Sequence, residues 1–339
     1  MSGLASGEDP RLYIGLDLGG TEVKFGVGTA DGVLLSDGRA PSNARHGGEA
    51  ILEALGEATT RALAVIRERG GTLGGLGMGT PGVVDPATGR IRYPVANLGG
   101  WCGTDVGGFF RERFPEEPGL ATVILENDAN AAAWGEYTAG AGRGAHTMVM
   151  TTVGTGIGGG CVLEGTLIRG ANGGGMELGH SVHTAGGRDC HCGLRGCIEA
   201  YAGGRAMADE WGRRAAAVGQ AIETAEDGLP QLPDLLRAAA GGDPLAGEVL
   251  DEGARALGHG LGSVLHLLNP DVLVLGGGIL HARPRYRELV VEAARESVLP
   301  KAWEELRIVP AECGNRAGMI GALTLAATAA GAGPDGRES

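Results

Sequence analysis

One histidine and three cysteines fall between two carboxylates in the stretch from Glu177 to Glu199, a donor set that could hold a metal ion. The order is Glu177, His180, Cys190, Cys192, Cys197 and Glu199, and Gly193 and Gly196 let the backbone double back so that Cys197 can return to the ion met by the other two cysteines. A Cys3His set matches tetrahedral Zn2+. Four protein ligands leave no position open for water, so such an ion shapes a loop rather than performing chemistry. Other readings stand beside this one. The cysteines could be buried apolar residues or disulfide partners, although Cys190 and Cys192 are too close in sequence to pair comfortably with each other. Only six cysteines occur in 339 residues and no secretory apolar run opens the sequence, so a reducing compartment is expected. His183 and His191 rival His180 as the fourth ligand, and each alone reads as an exposed loop histidine.

A second signature is carried by backbone. Asp17 precedes Gly19, Gly20 and Thr21, and Thr152 leads into Gly154, Thr155 and Gly156. Glycine turns of this kind present N–H groups without side-chain obstruction, which suits phosphate where cationic side chains are scarce. Lysine occurs only at Lys24 and Lys301, neither of them after a glycine, so a Walker A loop is excluded. Matches to Gly-x-Gly-x-x-Gly at Gly77-Gly79-Gly82 and Gly154-Gly156-Gly159 come cheaply among 66 glycines. Pro81 interrupts the first and the second runs into a strand pattern, so neither has the strand–loop–helix context of a dinucleotide site. Asp17 suits water-mediated contact with Mg2+, and taken alone it reads equally as a turn residue. Asp128, after Asn127, is either a helix N-cap or a carboxylate presented to substrate.

These residues need elements to hold them. At 339 residues the chain is too long for one comfortable core, and two domains are expected. Strand–turn–strand patterns open at Leu12 and again at His146, each around a Gly/Thr turn, as a duplicated α/β unit would. Helical spacing runs over 48–69, with further helices over 129–137, 253–268 and 317–329; strands are expected over 76–78, 122–125 and 272–275. The domains are then 11–128, small, and 129–330, larger and carrying the cysteine loop, with the last helix free to pack back on the small one; residues 1–10 and 331–339 read as disordered ends. The abundance of Gly and Ala reads as genomic base composition. A net charge of −13 and a pI of about 5.1 exclude a broad electropositive face for nucleic acid. No apolar run reaches transmembrane length, so a soluble, cytoplasmic protein without a membrane partner is expected.

Taken in order, Asp17-x-Gly-Gly-Thr21, Asn127-Asp128, Gly154-Thr155-Gly156-Ile157-Gly158, Gly170-Ala171-Asn172-Gly173, Glu177-x-x-His180, Cys190-x-Cys192-Gly-x-x-Gly-Cys197-x-Glu199 and Leu275-Gly-Gly-Gly278 resemble the ROK family of sugar kinases, its bacterial glucokinases above all, from residue 12 to about 327. The resemblance implies an actin-like ATPase (ribonuclease H-like) fold, with two α/β domains around a cleft. It implies ATP-dependent phosphorylation of glucose at the 6-hydroxyl with Asp128 as catalytic base. Sugar contacts would come from Gly82, Asn97, Asn127, Asp128, Glu177, His180 and Glu199. ATP and Mg2+ would lie by Asp17, Gly19, Gly20, Thr21, Thr152, Gly154, Thr155, Gly156, Gly276, Gly277 and Gly278. A structural Zn2+ would sit on His180, Cys190, Cys192 and Cys197, which puts His180 ahead of His183 and His191, and a homodimer is implied. The alternatives are a kinase for an N-acetylated hexosamine or another hexose, and a non-catalytic sugar-sensing regulator. Against the regulator stand the intact Asp128 and the roughly ten residues ahead of the first strand, where the family's repressors carry a helix-turn-helix domain. Glu22 and Met176 depart from the family pattern without removing a catalytic group.

Overall fold

Alternate residues of the first strand serve two different layers. A computed structural model of the chain describes residues 10–332, apart from 86–87, 94, 96–97 and 225–227. In it β1 (Arg11–Leu18), β2 (Glu22–Gly28) and β3 (Leu34–Pro41) form antiparallel hairpins, and α1 (Gly48–Glu68) follows. Leu12, Ile14, Leu16 and Leu18 share a buried cluster with Ile51, Leu55, Leu63 and Ile66 of α1. β4 (Thr72–Thr80) then joins parallel to β1; α2 (Val106–Arg113) leads to β5 (Val123–Asn127), which joins parallel to β4 and runs into α3 (Asp128–Ala139). The sheet order is β3-β2-β1-β4-β5.

The opposite face of β1 carries Tyr13, Gly15 and Asp17, and the last helix, Ala317–Ala329, packs there. A Cβ on Gly15 would fall 2.0 Å from the Met319 carbonyl, and one on Gly77 of β4 would fall 1.9 Å from that of Ala322. Glycine strands therefore let an alanine-rich helix rest almost backbone to backbone on the sheet. At these positions glycine is a packing requirement, not a trace of base composition. Tyr13, Leu323, Ala326 and Ala327 seal this second cluster.

α3 joins the same layer, since a Cβ on Gly321 would fall 1.7 Å from the Ala131 carbonyl. The boundary expected at residue 128 accordingly falls after Gly144: one compact unit comprises the chain up to Gly144 with Thr166–Gly175 and the chain from Glu312, and the other comprises Ala145–Gly165 and Met176–Ala311. Order also reaches Pro10 and Ala332, which had read as disordered ends. The Pro10 carbonyl accepts from Thr72 N–H at 3.1 Å, and Ala332 N–H donates to the Ala327 carbonyl at 2.9 Å. Residues 1–9 and 333–339 lie outside the described residues.

The second sheet repeats the opening device of the first. β6 (Thr147–Val153) and β7 (Ile157–Leu163) form a hairpin around a glycine turn, with the two-residue β8 (Thr166–Leu167) at the edge. Helices α4 (Glu199–Ala202), α5 (Gly204–Ala217), α6 (Leu232–Ala240) and α7 (Pro244–Leu268) precede β9 (Val272–Gly276), which lies parallel to β6. After α8 (Gly278–Ala282), α9 (Pro284–Glu296) and α10 (Pro300–Glu304), β10 (Arg307–Pro310) completes the order β10-β9-β6-β7-β8. α7 starts at Pro244 rather than near Gly253: Asp243 caps it, accepting from Leu245 and Ala246 N–H at 2.9 and 3.2 Å, and proline suits the first helical position. Among the described residues no helix is long and apolar enough to cross a membrane.

Candidate active site and metal centre

The parallel strands β1, β4 and β5 end at one edge of the first sheet, and their register aligns Asp17 with Gly79 and Gly79 with Glu126. Asp17 lies on the Gly15 face and so meets the first turn of the last helix, where a Cβ on Gly318 would be 3.0 Å from the carboxylate carbon. A helix N-terminus favours an anion there. Lys24, directly across the hairpin, pairs with Asp17 Oδ2 at 3.2 Å. Gly79 brings a second acid near: a Cβ on it would lie 3.8 Å from Asp17 Oδ1 and 3.6 Å from the Asp128 Cα. The adjoining turn is closed by Gly19 N–H donating to the Glu22 carbonyl at 2.8 Å, with Gly20 and Thr21 exposed.

Asn127, not Asp128, caps α3. Its backbone is extended (φ −60°, ψ 143°), and its Oδ1 accepts from Ala129 and Asn130 N–H at 2.9 and 3.1 Å, while Asp128 is the first helical residue. Asp128 Oδ1 accepts from Ala129 N–H at 2.9 Å. Asn127 Nδ2 donates to the Gly82 carbonyl at 3.2 Å, tying the turn after β4 to the same corner. Asn97 lies outside the described residues. Two partners were missed from sequence. Glu126, 4% exposed, accepts from Asn127 N–H at 3.0 Å and from Asn130 Nδ2 at 3.1 Å, and pairs with Arg169 Nε at 2.5 Å. The available signal was a carboxylate closing an otherwise apolar strand just before Asn127.

In the second unit the four expected metal ligands converge. The donor atoms of His180, Cys190, Cys192 and Cys197 all lie within 4.8 Å of one another. Cys192 Sγ and Cys197 Sγ are 3.8 Å apart, as are Cys190 Sγ and His180 Nδ1. A tetrahedral ion with metal–sulfur bonds of about 2.3 Å sets its ligands about 3.8 Å apart, whereas a disulfide needs about 2.05 Å. The residues therefore fit Zn2+, and the disulfide reading fails: all three cysteines are free. Burial pushes the Cys190 thiol up to about 12 and the Cys197 thiol in the same direction, so the thiolates call for a cation. Gly196 makes the return possible, with φ 78° and no room for a Cβ, which would fall 1.8 Å from the Thr184 carbonyl. His191 instead approaches Asp209 at 3.5 Å, and His183 packs edge-on against Tyr201 with ring centroids 4.9 Å apart.

The metal loop reaches the glycine turn through Glu199. Its Oε2 accepts from Ile157 N–H at 2.8 Å, and a Cβ on Gly156 would come within 2.4 Å of that oxygen. Glu177 is exposed and precedes the short turn Leu178–His180 that delivers His180. The carbonyls of Gly154 and Thr155 accept from Gly204 and Arg205 N–H at 3.0 and 2.9 Å, which fixes the start of α5 on the loop. Thr152 pairs with Gly276 across β6 and β9, and Gly277 (φ 96°) lies so close to β6 that a Cβ would be 2.2 Å from the Val153 carbonyl. Thr152, Gly154–Gly156 and Gly276–Gly278 thus gather at the carboxyl ends of parallel strands, where α/β sheets bind ligands.

Two five-stranded mixed sheets, each opened by a glycine-turned hairpin, define an actin-like ATPase fold of the sugar-kinase type. The ROK family matches residues 13–329, and the chain belongs to it. A glucokinase of Halalkalibacterium halodurans is 33% identical over 320 residues, 92% of this chain and 93% of that one. The solved ROK hexokinase from Thermus thermophilus is 38% identical with a TM-score of 0.77, covering 93% of this chain and 97% of that one. A ROK family glucokinase from Streptomyces griseus, in complex with glucose and AMPPNP, is 32% identical with a TM-score of 0.76, covering 94% and 99%.

Proposed function

We propose that the protein transfers the γ-phosphoryl group of ATP to the 6-hydroxyl of glucose, giving glucose 6-phosphate and ADP. The observation that carries the mechanism is the placement of Asp128 one residue beyond the cap, at the strand edge that also holds Asp17. Asp128 accepts the proton of the sugar hydroxyl as its oxygen attacks the γ-phosphorus in line, a role that contributes typically about 10²–10⁴ in rate. Asn127, Glu177, His180 and Glu199 read the remaining hydroxyls, with Gly82 and Asn97 alongside. The glycine turns at Gly19–Thr21, Thr152–Gly156 and Gly276–Gly278 hold the nucleotide through backbone N–H groups. Asp17 would help to hold Mg2+, which would neutralise phosphate charge. His180, Cys190, Cys192 and Cys197 would hold Zn2+, which would keep the loop between Glu177 and Glu199 in shape rather than perform chemistry. Cytoplasmic location and a homodimer complete the reading.

Coupled ADP release across glucose, mannose, fructose, N-acetylglucosamine and N-acetylmannosamine tests it. Glucose is expected to give the highest kcat/KM. Faster turnover of an N-acetylated hexosamine assigns the kinase to that substrate instead, and sugar binding without ADP release makes the protein a sensor.

A further inference from the structure

The pair Glu126–Arg169 belongs to none of the site's sequence motifs, yet it holds the segment that carries the base. Glu126 is buried at the end of β5, and its Oε1 accepts from the N–H of Asn127, the residue that caps α3 and holds the Gly82 carbonyl. Asn130, in the first turn of α3, gives its amide N–H to the same oxygen, while its own buried Oδ1 has no partner among the described residues. Arg169 is the ion partner of this buried carboxylate.

Arg169 also reaches in a second direction. Its carbonyl accepts from Gly175 N–H at 2.9 Å and so closes the loop Gly170–Gly175, and Glu177 follows past Met176, which is held at φ 63°. One arginine therefore grips, by its side chain, the strand end that leads into Asp128 and, by its main chain, the loop that leads into Glu177. We propose that Arg169, acting through Glu126, is a positioning residue for Asp128. The proposal rests on the reading of Asp128 as base. Without the guanidinium, Glu126 Oε2 loses its ion partner and the side chain is free to turn, which disturbs the hydrogen bond of Oε1 to Asn127 N–H next to the base. Misplacement by about 1 Å costs on the order of 10²-fold in rate.

Glucose-dependent ADP release and thermal melting of the wild type, Asp128→Asn, Arg169→Ala, Glu126→Gln and the double variant Glu126→Gln/Arg169→Ala test this. Arg169→Ala is expected to lower kcat by about 10²-fold while glucose KM changes by less than about threefold. Added guanidinium ion restores part of the loss, and the double variant is no slower than the slower single one, because both changes break one link. Native kcat in folded Arg169→Ala, additive losses in the double variant, or a lowered melting temperature with native kinetics each overturns the proposal. If Arg169→Ala does not fold, Glu126→Gln decides alone: a fall in kcat of about tenfold or more supports the positioning role, and native kcat overturns it. Asp128→Asn separates the two readings. Turnover retained there refutes the base itself, and an inactive Asp128→Asn beside a native Arg169→Ala refutes only the positioning.

Discussion

Asn127 takes the helix cap, a task for which the sequence leaves Asn127 and Asp128 interchangeable. Both residue types cap helices well, so the pair was legible as a helix start with a carboxylate at its mouth. Which of the two caps is set by where the chain leaves the extended conformation, and that depends on how β5 registers against β4. With the cap on Asn127, Asp128→Asn is expected to leave folding and glucose KM near native and to lower kcat by about 10²–10⁴, because the amide keeps size and hydrogen bonding but takes no proton. Steady-state kinetics with a melting curve check this, and near-native turnover would return Asp128 to a structural role. Glu126 and Arg169 were not legible as partners. They lie 43 positions apart, and nothing local in either segment signals a buried ion pair.

At the scale of elements, the loop that gathers His180, Cys190, Cys192 and Cys197 was the part most open to sequence reasoning: ligand type and spacing pointed to the three cysteines, and the family resemblance chose His180 over His183 and His191. Purified protein is expected to carry one zinc per chain, and Cys192→Ser to lower both zinc content and glucose affinity by loosening the loop that ends in Glu199; metal analysis and glucose titration measure the two. Stoichiometric metal retained after replacement of all three cysteines would contradict it. The glycines that admit the last helix to the sheet were the part least open. Gly15, Gly77 and Gly321 look like composition until the helix backbone is seen against them. Gly77→Ala, with its Cβ 1.9 Å from the Ala322 carbonyl, is expected to destabilise by about 1–3 kcal/mol or more, read as a lower denaturation midpoint. An unchanged midpoint would mean that the helix shifts freely.

Over the whole molecule, the repeated hairpin opening was readable as a duplicated α/β plan, and so was the freedom of the last helix to pack back on the first unit. The expected boundary at residue 128 followed chain order, whereas contacts join α3 as well to that helix and to the first unit. Acid stability belongs at this scale as well. Hydrogen bonding from Arg213, aided by Arg214 and Arg188, holds the Glu210 carboxyl at about 2 against the desolvation of its site. A depressed carboxylate contributes stability above its unfolded pKa, about 4.3, and loses it as pH falls through the folded value. Glu210→Gln should therefore melt below wild type at neutral pH, with the gap closing as pH falls from about 4.5 towards 2; a gap that does not vary with pH would remove the ion-pair explanation. The central claim, transfer to the 6-hydroxyl of glucose, is tested most directly by phosphorus-31 NMR of the product formed from ATP and glucose. A product resonance coupled to the two protons on carbon 6, appearing in step with ADP, is the predicted result. A product phosphorylated at carbon 1, or ADP formed without any sugar phosphate, would contradict it.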